Sequence, residues 1–164
     1  MARNPQGVLR RGWTTGACAA AAARAAYQAL LTGDFPDPVT IRLPKGETPS
    51  FPLAQQLLEA GSACVGVIKD AGDDPDVTHG ALIVAQVAPG VAGAGITFHA
   101  GSGVGTVTKP GLPIPPGEPA INPAPRALIA AMLEEVAAQH ETIADVAVTL
   151  SVPDGERMAA HTWN

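Results

Sequence analysis

The chain has 164 residues, a formal net charge of −5 and a pI near 5.2, which is length enough for one domain with its own core and the wrong charge for gripping nucleic acid through a broad basic surface. Hydrophobic residues make up 46% of it, which excludes a wholly disordered chain, yet much of that share is alanine and the aromatic residues are two Trp, one Tyr and three Phe. The expected core is therefore made of helix-packing alanines and of strands rich in valine and isoleucine. Cys18 and Cys64 are too few and too far apart for a disulfide framework or a zinc site, and read as reduced thiols of a cytoplasmic protein.

The opening "MARNPQGVLRRGWTTG" has no continuous apolar run of the kind a signal peptide needs. The run "ACAAAAARAAYQALL" is apolar but short, and Arg24 at its middle fails the charge test for a membrane span. It reads instead as a helix capped by Thr14 or Thr15, carried by alanine to about Leu31 and stopped by Gly33. "VTIRLP" (39–44), the turn "KGE" and the proline-broken "TPSFPLA" read as a strand, a turn and a poorer edge strand. "ACVGVIKD", "ALIVAQVA" and "GITFHA" follow as three more strands.

Residues 101–125, "GSGVGTVTKPGLPIPPGEPAINPAP", are too rich in proline for a helix or a central strand. Leu112, Ile114 and Ile121 are expected to stand out there as apolar surface. Asn122 with Pro123 opens a second helix, whose apolar face is Leu128, Ile129, Met132, Leu133 and Val136. "DVAVTLSV" alternates as a final strand. The sum is an α+β fold with a mixed sheet of about six strands and two main helices. Its two long loops are the expected seat of chemistry and should open towards the same side.

Three segments carry that chemistry. "KDAGDDPDVTHG" (69–80) places Asp70, Asp73, Asp74 and Asp76 in one short loop between Lys69 and His79. Four carboxylates so close repel one another unless water, backbone N–H groups, a cation or a cationic ligand intervenes. The spacing matches no EF-hand, so a divalent-cation module stays as the alternative reading and no protein metal site is assigned. Lys69 and His79 are candidate acid–base groups. "GSGVGTVTKPG" offers Gly101, Gly103 and Gly105, which let backbone N–H groups approach an anion. It is neither a Walker A loop nor a dinucleotide fingerprint, and a plain turn fits it as well. Lys109 and Arg126 flank it and could each meet a carboxylate. "GWTTGACAAAA" presents a helix N-terminus suited to an anion, or an ordinary capped helix packing its alanine face.

In this order the three segments resemble the N-terminal half of the CbiD family, from about Leu9 to Asn164, with Trp13 in place of an expected Tyr and "AGSGVG" in place of a more usual Gly-Gly pair. The resemblance implies S-adenosylmethionine-dependent methylation of cobalt-precorrin-5B at C1, with cobalt carried by the corrinoid substrate. It also implies a second, α/β domain beyond residue 164, without which this chain is expected to be inactive. On that reading Asp70, Asp73, Asp74 and Asp76 face the cationic methyl donor. Thr14, Thr15, Gly16, Gly101, Gly103, Gly105, Thr106, Thr108, Lys109 and Arg126 face the carboxylates of the tetrapyrrole. Expected partners are the corrinoid precursor and the second domain, with self-association left open and no nucleic acid or membrane.

Overall fold

Alanine loses no side-chain entropy in a helix, and the alanine block forms one. In the computed structural model, which describes residues 12–70, 80–107, 111 and 114–153, helix α1 runs Thr15–Thr32. The Thr14 hydroxyl oxygen accepts from Ala17 N at 3.0 Å. Gly33, at φ 86°, ends the helix by donating its N–H to Ala29 O at 2.7 Å. From Ala17 to Ala29 every residue is buried except Arg24 and Gln28. Small side chains on all sides let the helix be enclosed on all sides. Arg24 reaches out of that environment to pair with Glu135, at 3.1 Å.

The strand β1 (Val39–Thr40) pairs with β2 (Ser50–Phe51) in a small separate ribbon. Regular pairing is shorter than the expected 39–44, but the hairpin continues through Ile41 N to Pro49 O and Leu43 N to Glu47 O. Trp13 meets Phe51 edge-on, with ring centroids 6.4 Å apart, and so ties the ribbon to the start of α1.

The main sheet holds β3 (Gln55–Glu59), β4 (Ser62–Ile68), β5 (Leu82–Pro89), β6 (Thr97–Ala100) and β7 (Val146–Ser151), in the order β3-β4-β5-β7-β6. All neighbours are antiparallel except β6 and β7. Those two are joined through helix α2 (Pro123–Gln139), as a parallel pair requires. The mixed α+β sheet is as expected, with β3 the addition. "QQLLE" does not alternate and all five of its residues are exposed, so only its backbone ladder to β4 reveals it.

One face of the sheet is covered. Ala63, Val65 and Val67 of β4, Ile83, Ala85 and Val87 of β5, and Val146, Val148 and Leu150 of β7 are buried in one cluster with α1 and with Ile129, Leu133 and Val136 of α2. Each fully enclosed valine or isoleucine there contributes roughly 1.5–3 kcal/mol. Ile114 and Ile121 correct the expectation of an exposed proline-rich flank, because each is only 7% exposed and Ile121 joins the core; Leu112 lies outside the described residues.

The register fixes which ends meet. The ends of β4 and β7 and the start of β5 lie together through the pairs Ile68–Leu82 and Val84–Ser151, and the end of β6 joins them through Ala100–Leu150. Trp13 N donates to Asp70 O at 2.8 Å, which brings the start of α1 to the same end. The start of α2 is there too, since Pro125 packs on Gly16.

Candidate functional site

At this shared end lies a pocket of about 310 Å³. Thr15 and Gly16 of α1 form one wall, Gly103, Val104 and Gly105 another, and Asn122 with Pro125 a third. Its floor is apolar, from Ala19, Ile83, Ile121 and Leu150, and Ser151 and Val152 complete the lining. Two of the three segments singled out in the sequence therefore meet across one cavity. No charged side chain lines it among the described residues. Its polar residues include Thr15 and Asn122, and the first turn of α1 adds leading N–H groups that have no acceptor within the helix.

The glycines here are small for different reasons. A Cβ on Gly16 would meet Pro125 Cγ at 3.2 Å, so the two helix starts could not pack as closely. A Cβ on Gly101 would run into Ser151 Oγ and lie 3.0 Å from the Leu150 carbonyl oxygen. Gly101 belongs to the packing of β6 on β7 and does not line the pocket. Gly103 sits at φ 76°, where side chains are strained. Gly105 has an ordinary φ, and among the described residues a Cβ there would find nothing within 4 Å. No described neighbour and no turn demands a glycine at 105, and the space in front of it is open.

The two helix starts also differ. The Thr14 side chain is spent capping α1, and it stands beside the pocket rather than in its lining. Helix α2 opens Pro123-Ala124-Pro125, so two of its first three residues have no N–H to offer. Asn122 accordingly makes no side-chain cap bond, and the residue lines the cavity. Sequence reasoning saw Asn122 only as a helix opener. The signal was in the two prolines, which leave an N-cap amide little to cap.

Arg126 is occupied within the fold. Its Nε donates to Ile121 O and its Nη2 to Pro119 O, both at 2.8 Å, while Nη1 lies 3.6 Å from Glu118 Oε1. The guanidinium also sits 5.4 Å over the Phe98 ring. These bonds clamp the proline-rich segment and turn Ile121 inward. With Thr106, whose backbone bridges to Pro119, Arg126 lines a separate open groove along β6. Neither lines the pocket, and Thr108 and Lys109 lie outside the described residues.

The acidic segment leaves from the same end. Lys69 N donates to Ala81 O and Gly80 N to Lys69 O, closing the neck of the loop. Lys69 is 4% exposed; Asp70 is exposed, and its carbonyl holds Trp13 N. Asp73, Asp74, Asp76 and His79 lie outside the described residues. Among the described residues no three His, Cys, Asp or Glu side chains gather as metal ligands, and no helix is long and apolar enough to cross a membrane. Cys18, in the first turn of α1, has its thiol pushed up to about 11, chiefly by burial and against the opposing effect of the Lys69 charge. It packs as a neutral thiol and is not a nucleophile at neutral pH.

The family model for CbiD matches residues 2–164. A cobalt-precorrin-5B C(1)-methyltransferase of Brucella anthropi is 60% identical over 156 residues, which are 95% of this chain and 42% of that protein. The protein of the same name from Brucella ovis is 58% identical over 163 residues, 99% of this chain and 44% of that one. A crystal structure of the cobalamin biosynthesis protein (cbiD) from Archaeoglobus fulgidus matches with a TM-score of 0.68 at 32% identity, over 95% of this chain and 48% of that one. The chain spans less than half the length of each of these relatives.

Proposed function

The chain belongs to the CbiD family, and from that membership we propose that it is the N-terminal part of an enzyme that methylates cobalt-precorrin-5B at C1, giving cobalt-precorrin-6A in anaerobic cobalamin biosynthesis. The observation that carries this reading is 60% identity across 95% of the chain to a relative of that name. We take the methyl donor to be S-adenosylmethionine, whose sulfonium supplies an already activated methyl group, and the cobalt to arrive as part of the substrate. Such a reaction asks the protein mainly for alignment of two ligands.

The pocket suits one kind of contact within that reaction. At about 310 Å³ it is too small for a whole tetrapyrrole, and it has room for a peripheral acetate or propionate arm. Backbone N–H groups at the start of α1, the Thr15 hydroxyl and Asn122 can hold a carboxylate without a buried counter-charge. Gly103 and Gly105 let the arm lie against the backbone. The pocket does not suit the donor, since its described lining offers no carboxylate to a sulfonium or an amine. We assign the donor to the acidic loop of Asp70, Asp73, Asp74 and Asp76 together with the second domain, and the protein to the cytoplasm.

The test is transfer of labelled methyl from S-adenosylmethionine to cobalt-precorrin-5B. The 164-residue chain alone should give none. The same chain joined to the remainder of the Brucella anthropi relative should give turnover. No transfer by the joined protein would refute the assigned reaction, and full turnover by the single chain would refute its being a part.

A further inference from the structure

The second face of the main sheet is built to be covered. Side chains alternate along each strand, so the register places Leu57 of β3, Cys64 and Ile68 of β4, and Leu82 and Val84 of β5 on the face away from both helices. Leu57 pairs with Cys64, Ile68 with Leu82, and Gly66 with Val84. Leu82 leans over Gly66, where an added Cβ would meet its Cδ1 at 2.9 Å. The five side chains thus form one continuous apolar surface, with Leu57 55% and Ile68 49% exposed. Around them stand Gln55, Glu59, Ser62, Gln86, Thr149 and Ser151, a polar rim. An apolar centre inside a polar rim is the pattern of a docking surface.

Two further observations say what docks. The matched relatives are more than twice as long as the aligned segment, which makes 42% and 44% of the two Brucella proteins. The last described strand, β7, hands the chain on beside this face: Ser151 is the register partner of Val84, and Val152 N is tied to Ser102 O at 2.8 Å. We propose that this outer face is the seat of the second domain of the longer enzyme, which lays an apolar surface of its own over Leu57, Cys64, Ile68, Leu82 and Val84. Two faces of one sheet would then be covered by two different parts of one protein, the inner by α1 and α2, the outer by the following domain. The inference rests on the reading of this chain as the first part of a longer enzyme. It is independent of which ligand fills the pocket, so it can fail while the methylation test succeeds.

Cys64 reports on the face directly. It is half-buried within the patch, between Leu57 and Gln86, whereas Cys18 is enclosed and protonated. Alkylation by iodoacetamide, read on the peptide that contains Cys64, should be at least about tenfold slower in the joined protein than in the 164-residue chain. Ile68→Lys should return the rate in the joined protein towards that of the single chain, because a charge cannot be buried there unpaired. The same substitution should leave the melting temperature of the single chain unchanged, since the side chain is half exposed. Equal rates at Cys64 in the two proteins would overturn the inference. A rate in the single chain that falls as its own concentration rises would assign the face to a second copy, and would overturn it as well.

Discussion

The body of α1 and the rim of the pocket at its start are both built from the smallest residues, for opposite reasons. Ala20 to Ala23 are fully enclosed; they are small because the space beside them is already filled. Gly105 has no described residue within 4 Å of where its Cβ would stand; it is small while the space beside it stays open. Gly101 and Gly16 belong with the alanines, because Ser151 and Pro125 occupy the positions their side chains would need. What a small residue is for can thus be judged only from what adjoins it. The assignment of the pocket to a substrate arm turns on that distinction.

The comparison breaks first at Ala22. Ala22→Leu forces three further carbons into a site closed by the sheet and by α2, and should cost about 3 kcal/mol or more, at or beyond the upper end of overpacking effects. Urea unfolding measures it. A variant as stable as the parent would mean that α1 is not filled around.

Cys18 tests the same enclosure by titration. Its thiol is held protonated up to about 11 in the fold, against 9.0 for the ordinary thiol. The unfolded chain ionises first, so stability is fully present below pH 9 and falls as the pH rises from 9 towards 11. The loss should be about 2–3 kcal/mol across that window, and Cys18→Ala should remove most of it. Burial also raises the Tyr27 and Cys64 values, helped by Asp145 and Glu59 respectively, so a smaller alkaline slope should persist. Equal slopes for parent and variant would contradict the buried thiol.

Among the glycines the expected effects are graded. Gly101→Ala should cost about 1–3 kcal/mol, because the clash is with the Leu150 carbonyl and with both side-chain atoms of Ser151. Gly16→Ala should cost about 1 kcal/mol or less, since Pro125 needs to give by only a few tenths of an ångström. Gly105→Ala should lie within about 0.5 kcal/mol of the parent. Thermal melts of the three rank them, and any other order breaks the distinction between filled and open space.

Both helices were legible in the sequence because their signals are local. Alanine propensity, Thr14, Gly33 and the Asn122–Pro123 pair each act within a turn of where they stand. The alternating strands β4, β5 and β7 were legible for the same reason. Strand β3 was not, since Gln55 to Glu59 lack alternation and are held by the backbone of a neighbour. Ile114 and Ile121 were misjudged because a proline-rich segment looks exposed until something folds it inward. For Ile121 that something is Arg126, whose partners are carbonyl oxygens and which composition cannot tell from an arginine awaiting a ligand. That Thr15 and Gly16 should share a ligand with Gly103 and Gly105 came from the family resemblance alone; the two loops expected on one side were the acidic and the glycine-rich ones. The joining of the start of α1 and the glycine-rich loop into a single pocket follows from the parallel pairing of β6 with β7, which no local pattern announces.

The most direct test of the account fills the pocket and leaves the fold alone. Gly105→Leu, placed in the chain joined to the remainder of the Brucella anthropi relative, puts a side chain into space that the domain itself does not use. Methyl transfer to cobalt-precorrin-5B should lose about tenfold or more in kcat/KM, while the melting temperature stays that of the parent. Unchanged kcat/KM in a protein carrying leucine at this position would contradict the assignment of the pocket to the substrate.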